Sequence, residues 1–222
     1  VKKNSPPAAP IIAYPMTGNA AYNTTPRFMI TTGVEPDGQT QIVEVKIDSG
    51  VWHNSVDNPE RFSTSGHLGN GVKTVYQAEP LTVGNHTITF RCIDSDIESA
   101  STEVARSFTI LQPPFETISA NVTHVKTTHI QMLRNGVNMA RSYYNLSPVT
   151  WREEIIAGKT TIKNWPFHIT EIRKAMDTII GVINGFDSSA TFDIPAFTWL
   201  PIGTGRPKAD VMEQIQDLIL VL

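Results

Sequence analysis

One cysteine in 222 residues rules out an internal disulfide, so the fold of this chain must rest on packing. Charge is also scarce. Lys, Arg, Asp and Glu make up 18% of the residues and sum to −3, which leaves no basic footprint for nucleic acid. Long hydrophobic runs are missing, since the longest aliphatic stretch, Leu218–Leu222, falls far short of the ~20 residues that span a bilayer. No basic-then-apolar leader opens the chain, and a start at Val1 fits a processed product or a piece of something longer. The spacings of familiar catalytic sites are absent too: there is no His-Glu-x-x-His, no Gly-x-Ser-x-Gly and no Cys–His pair with an orienting partner. The expectation is a non-catalytic chain whose 40% hydrophobic content can bury at least one substantial core.

What is present divides the chain in two. In the C-terminal half one apolar register recurs. Ile130, Leu133, Val137 and Ala140 return as Ile169, Ile172, Met176 and Ile179, and again as Met212, Ile215, Ile219 and Leu222. Steps of three and four residues keep each set on one helical stripe. Lys126, Lys163 and Lys208 precede the stripes, and His129 and His168 stand immediately before the first two. Val211 replaces the histidine in the third copy, and Gln216 replaces Arg134 and Arg173. Anchor spacings of 39 and 43 residues suit a modular array in which each unit buries its stripe against its neighbours. Helices are expected from Thr127 or Thr128 to Tyr143 or Tyr144, from Pro166 to Asn184–Gly185, and from about Pro207. A threonine is expected to cap the first. Trp151 and Trp199, in the connectors, are expected to fold back over the helical seam, with Arg134 and Arg173 donating to connector carbonyls.

The N-terminal half alternates with a period of two. Val43, Val45 and Ile47 share one face, as do Ile88, Phe90 and Cys92, and similar strands are expected over 27–32, 72–76 and 106–111. Cys92 reads as a core residue rather than a reactive thiol. Turn chemistry at Glu35-Pro-Asp-Gly38, Asp48-Ser-Gly50 and Val83-Gly-Asn85 separates the strands, and two packed antiparallel sheets are the economical solution.

The stretches Val45-Lys-Ile-Asp-Ser-Gly-Val-Trp52, Leu81-Thr-Val-Gly-Asn-His-Thr-Ile-Thr-Phe-Arg-Cys-Ile-Asp94 and Arg106-Ser-Phe-Thr-Ile110 resemble the bacterial immunoglobulin-like domain family over about residues 10–111. Val125-Lys-Thr-Thr-His-Ile-Gln-Met-Leu-Arg134 and Ile162-Lys-Asn-Trp-Pro-Phe-His-Ile-Thr-Glu-Ile-Arg173 are similar to short helical repeats found beside such domains in bacteriophage virion and bacterial surface proteins. The resemblance implies an all-β immunoglobulin-like sandwich (11–112) followed by a mainly α-helical repeat domain (122–222, units about 122–158, 159–203 and 204–222). Residues 1–10 and 113–121 are read as linkers around proline clusters. Display, spacing and adhesion are the roles this combination implies, with a tail, baseplate or capsid-associated virion component as the leading expectation and a glycan-binding module of a secreted bacterial protein as the alternative.

Few residues offer chemistry. Trp52 and His53 follow a turn where they could stack on a sugar, against a stronger expectation that Trp52 packs into the sandwich. Asp94, Asp96 and Glu98 could offer oxygens to calcium, with Asp48 from the turn, yet they make an incomplete set for an ion that takes six to eight. A metal shared by His129 and His168 is disfavoured against imidazoles bonded to a helix start or connector. Asn-x-Ser/Thr tripeptides occur at Asn23, Asn85, Asn121 and Asn145. The apolar end of the chain, with Leu218, Leu220, Val221 and Leu222, is expected to need a partner: another copy, a neighbouring virion or surface protein, or further sequence.

Overall fold

The computed structural model describes residues 4–96, 99–115, 126–155, 165–187, 189, 192, 194, 198–203 and 208–222. Among the described residues eight strands form two sheets. One holds β1 (Ile11–Tyr14), β3 (Arg27–Thr31) and β6 (Lys73–Gln77) in the order β1-β3-β6. The other holds β2 (Asn19–Ala21), β4 (Gln41–Ile47), β5 (His53–Asn54), β7 (Gly84–Asp94) and β8 (Val104–Ile110) in the order β2-β8-β7-β4-β5. The first edge of the chain splits between the sheets, with β1 antiparallel to β3 and β2 parallel to β8. The chain passes repeatedly from one sheet to the other in the Greek-key manner of an immunoglobulin-like sandwich, and this strand order identifies the fold.

Alternation sets the register. Val43 faces Cys92, Val45 faces Phe90 and Ile47 faces Ile88 across the β4–β7 ladder, and all but Ile47 are fully buried. Phe28 from the opposite sheet sits 5.1 Å from Phe108 and 6.2 Å from Phe90, ring centre to ring centre, and closes the core. Each such side chain stabilises the fold by roughly 1.5–3 kcal/mol through burial. Residues 4–10, expected as a linker, run beside the loop after β3: the Ala8 amide donates to the Val34 carbonyl. That approach needs Gly33, because a Cβ there would lie 2.0 Å from the Ala8 oxygen.

The three helices are α1 (Thr127–Tyr143), α2 (Trp165–Asn184) and α3 (Ala209–Val221). All twelve stripe residues are buried. Their arrangement differs from a sequential array, because α1 packs on α2, on α3 and on β2, and so occupies the middle. The cap of α1 also departs from expectation: the Lys126 amide donates to His129 Nδ1 (3.1 Å), so the histidine rather than a threonine closes the first turn. At the other end Asn145 takes a left-handed conformation (φ 54°), and the Leu146 amide returns to the Arg141 carbonyl. Gly136 on α1 leaves room for Ile219 and Phe115, whose nearest atoms would lie 3.1 and 3.2 Å from a Cβ at that position. Phe115 also meets Tyr22 edge to face, so the residues just after the sandwich are pinned between it and α1. Residues 116–125 and 156–164, with Asn121 and Lys163, lie outside the described residues, as does Pro207.

Candidate functional site

Where the helices meet the sandwich, side chains from β2, β3 and the turn between them cap helix ends. The last carbonyls of an α-helix have no partner within it. Asn19 Nδ2 donates to the Ser142 and Tyr143 carbonyls of α1 (2.8 and 3.3 Å). Asn23 Nδ2 and Arg27 Nη1 both donate to the Val221 carbonyl of α3 (2.8 and 2.9 Å). Tyr143 Oη donates back to the Arg27 carbonyl and Tyr144 Oη to the Leu222 carbonyl (3.1 and 3.2 Å). A cation at this end also opposes the negative pole of the α3 dipole. Part of the apolar stretch Leu218–Leu222 packs within the chain. Leu218 and Leu222 are buried, Leu220 is half-buried, and Val221 is 44% exposed.

A second set of struts holds the connectors. Arg134 Nη1 donates to the Glu153 carbonyl (2.7 Å) with its guanidinium 4.7 Å from the centre of the Trp151 ring. Arg173 Nη1 donates to the Leu200 carbonyl (2.8 Å) with its guanidinium 4.7 Å from the Trp199 ring. These are the carbonyl contacts expected of the two arginines, and cation–π stacking seats each tryptophan. Arg134 Nη2 also lies 2.8 Å from His168 Nδ1 and 3.3 Å from the Glu171 carboxylate. A guanidinium has only donors, so His168 accepts at Nδ1 and carries its proton on Nε2, which faces Glu153 Oε2 at 3.3 Å. His129 and His168 therefore serve different neighbours. Among the described residues no three His, Cys, Asp or Glu side chains gather as a metal-binding group.

The remaining sequence candidates fall apart in space. Trp52 does not enter the sandwich: it is half-buried on the outer face of the larger sheet, where Lys46 Nζ and the Arg91 guanidinium lie 4.5 and 4.2 Å from its ring centre. His53, the next residue, turns the other way, 6.4 Å from the Tyr76 ring, so the two do not make one stacking platform. Asp48 and Asp94 sit at opposite ends of the β4–β7 ladder, about 20 Å apart at strand rise, so Asp48 does not join the acidic group. Asp96 bonds Gln39, Asp94 turns inward, and Glu98 lies outside the described residues. Burial pushes the Cys92 thiol up to about 11, against nucleophilic use. Asn23 is buried with its amide committed to α3, which closes it to glycosylation in the folded chain, while Asn85 and Asn145 are exposed.

Asp48 has a different task. Held at φ 52°, it accepts the Thr87 amide on Oδ1 (2.7 Å) and meets His86 Nδ1 with Oδ2 (2.8 Å), while His86 Nε2 reaches the Thr82 carbonyl (2.8 Å). Sequence reasoning took this aspartate only as a turn residue or a ligand. Burial pulls the His86 pKa down, yet the Asp48 hydrogen bond, the Thr82 carbonyl and the Asp48 charge raise it above 6.5 on balance. Burial and the Arg134 charge hold His168 below 6.5. The two histidines act in opposite senses on folding. The His86 contribution is complete below pH 6.5 and is lost as pH rises through its raised pKa. The His168 site loses stability as pH falls below 6.5. Urea midpoints measured against pH should show His86→Gln flattening the alkaline-side decline and His168→Gln flattening the acid-side decline. The reverse pattern would contradict these proton placements.

No family model matches this sequence, and no curated protein matches it. The structure is similar in part to the PKD domain of an M14-like peptidase from Thermoplasmatales archaeon SCGC AB-540-F20, at 15% identity and a TM-score of 0.36, covering 49% of this chain and 99% of that one. It is also similar to CopC from Methylosinus trichosporium OB3b, at 17% identity and 0.30, covering 51% and 99%. A third likeness is to WR4, a C. elegans MSP family member, at 13% identity and 0.27, covering 46% and 98%. The sandwich assignment rests on the strand order of this chain rather than on these scores.

Proposed function

We propose that this chain is a non-catalytic structural protein of an extracellular assembly, a bacteriophage virion component in which an immunoglobulin-like sandwich is displayed and the helical region attaches it. One observation supports the reading above the rest. Six buried side chains, Asn23, Arg27, Arg134, Arg173, Tyr143 and Tyr144, each donate to a backbone carbonyl of another element or connector. Polarity placed that way fixes the relative position of elements, which suits a particle component. The helical region is read as copies of one unit, because Arg134 with Trp151 and Arg173 with Trp199 repeat the same strut on two helices. Its partners would be other copies or neighbouring virion or surface proteins.

The glycan-binding reading draws less support, since two cations from the sheet already lie over the Trp52 ring. Density-purified particles from the source culture, digested and analysed by mass spectrometry, test the proposal. The full chain should be present at a fixed copy number relative to the major particle proteins. Recovery only from the particle-free supernatant would overturn it.

A further inference from the structure

Asp94 and Gln41 end the β4–β7 ladder directly opposite one another, and both are fully buried on its inner face. Paired side chains at such a position start about 4.5–5.5 Å apart at Cβ. Each has one oxygen with no donor: Oδ2 of Asp94 and Oε1 of Gln41. Their remaining atoms are committed. Asp94 Oδ1 accepts the Asp96 amide, and Gln41 Nε2 donates to the Gly33 carbonyl (2.8 Å) and Asn70 Oδ1 (3.3 Å). That same Asn70 oxygen accepts the Glu35 amide at 2.6 Å, which brings Glu35 into the cluster. Glu35 is 2% exposed; Oε2 accepts the Asp37 and Gln39 amides, and Oε1, like the Asp94 and Gln41 oxygens, is buried with no donor.

An unpaired buried acceptor costs about 1–3 kcal/mol, and more when it is charged. Two of these three belong to carboxylates. A water molecule would satisfy hydrogen bonds alone, whereas a cation also answers the carboxylates. The donor set is all oxygen, carboxylate and amide, with the Gly33 carbonyl beside Gln41, and it lacks the imidazole or thiolate that zinc prefers. We propose that this end of the sandwich binds a calcium ion through Asp94, Glu35 and Gln41, tying the loop after β3 to the end of β7. Backbone carbonyls and water supply the other ligands of an ion that takes six to eight oxygens. The site is distinct from the acidic run expected from sequence, in which Asp96 and Glu98 were to be the companions of Asp94. It also stands apart from the assembly role, so either reading can fail alone.

Equilibrium dialysis of the full chain against calcium, with thermal melting in calcium and in chelator, tests it. One calcium per chain is expected, with Tm raised by about 5–10 °C at a hundredfold excess over Kd. Asp94→Asn and Glu35→Gln should each lower the affinity at least tenfold, and magnesium should not substitute. Absence of binding to the wild-type chain at millimolar calcium overturns the proposal, a result that stands even where a variant fails to fold. An Asp94→Asn chain that binds calcium as the wild type does also overturns it. A gain in Tm for Asp94→Asn in chelator, with no calcium uptake by the wild type, would overturn it as well.

Discussion

Tyr143→Ala is expected to lower the stability of the entire chain by about 3–5 kcal/mol, the range for deleting a buried aromatic side chain. Tyr143 is 1% exposed, lies 5.2 Å from the Tyr144 ring, and donates to the Arg27 carbonyl of the facing sheet. Removing it opens a cavity at the contact between helices and sandwich and takes away the hydrogen bond that spans it. Tyr143→Phe separates the two effects. It keeps the ring and loses only the hydroxyl, so a cost near ~1 kcal/mol is expected. Denaturant melts followed by helical circular dichroism and by amide hydrogen exchange in β4 and β7, which reports the sandwich alone, should shift together for both variants. A change confined to the helical signal would mean that the contact contributes nothing to the sandwich.

The second large effect lies at the other end of the packing. Phe28→Ala should also cost about 3–5 kcal/mol, because Phe28 is fully buried where both sheets meet, with Tyr76, Phe90 and Phe108 around it. Arg27, its neighbour on β3, caps α3, so disorder in that strand reaches the helices through one residue. Loss of helical signal at the same denaturant concentration as loss of sandwich signal is the expected outcome in urea. Retained helices after the strands have melted would contradict it.

How much of this was legible in sequence follows from the range of each interaction. The three stripes could be read because helical periodicity is local, and the helix limits came out within two residues of Thr127–Tyr143, Trp165–Asn184 and Ala209–Val221. β4 and β7 could be read because seven and eleven residues show alternation clearly. β1, β2 and β5 could not. They are two to four residues long, and β2 owes its existence to Phe108–Ile110, about ninety residues downstream. The helix caps were hidden for the same reason: Asn23 reads as a glycosylation signal until α3 arrives beside it. The central place of α1 was equally invisible, since three similar apolar stripes carry no local sign of which helix touches the other two.

Asp94 is the instructive case. The alternation that sent Ile88, Phe90 and Cys92 inward also sends Asp94 inward, two residues further on. Reading it with Asp96 and Glu98 as one acidic run overlooked that the strand had already assigned it to the core end. The carboxylate with which it is grouped in the structure, Glu35, sat in a turn and was taken for turn chemistry alone.

Sandwich and helices form one unit through Asn19, Asn23, Arg27, Tyr143 and Tyr144. Differential scanning calorimetry of the full chain tests it most directly. A single transition is predicted, with calorimetric and van't Hoff enthalpies equal, moving as a whole in Tyr143→Ala. Two resolved transitions, of which Tyr143→Ala moves only one, would contradict it.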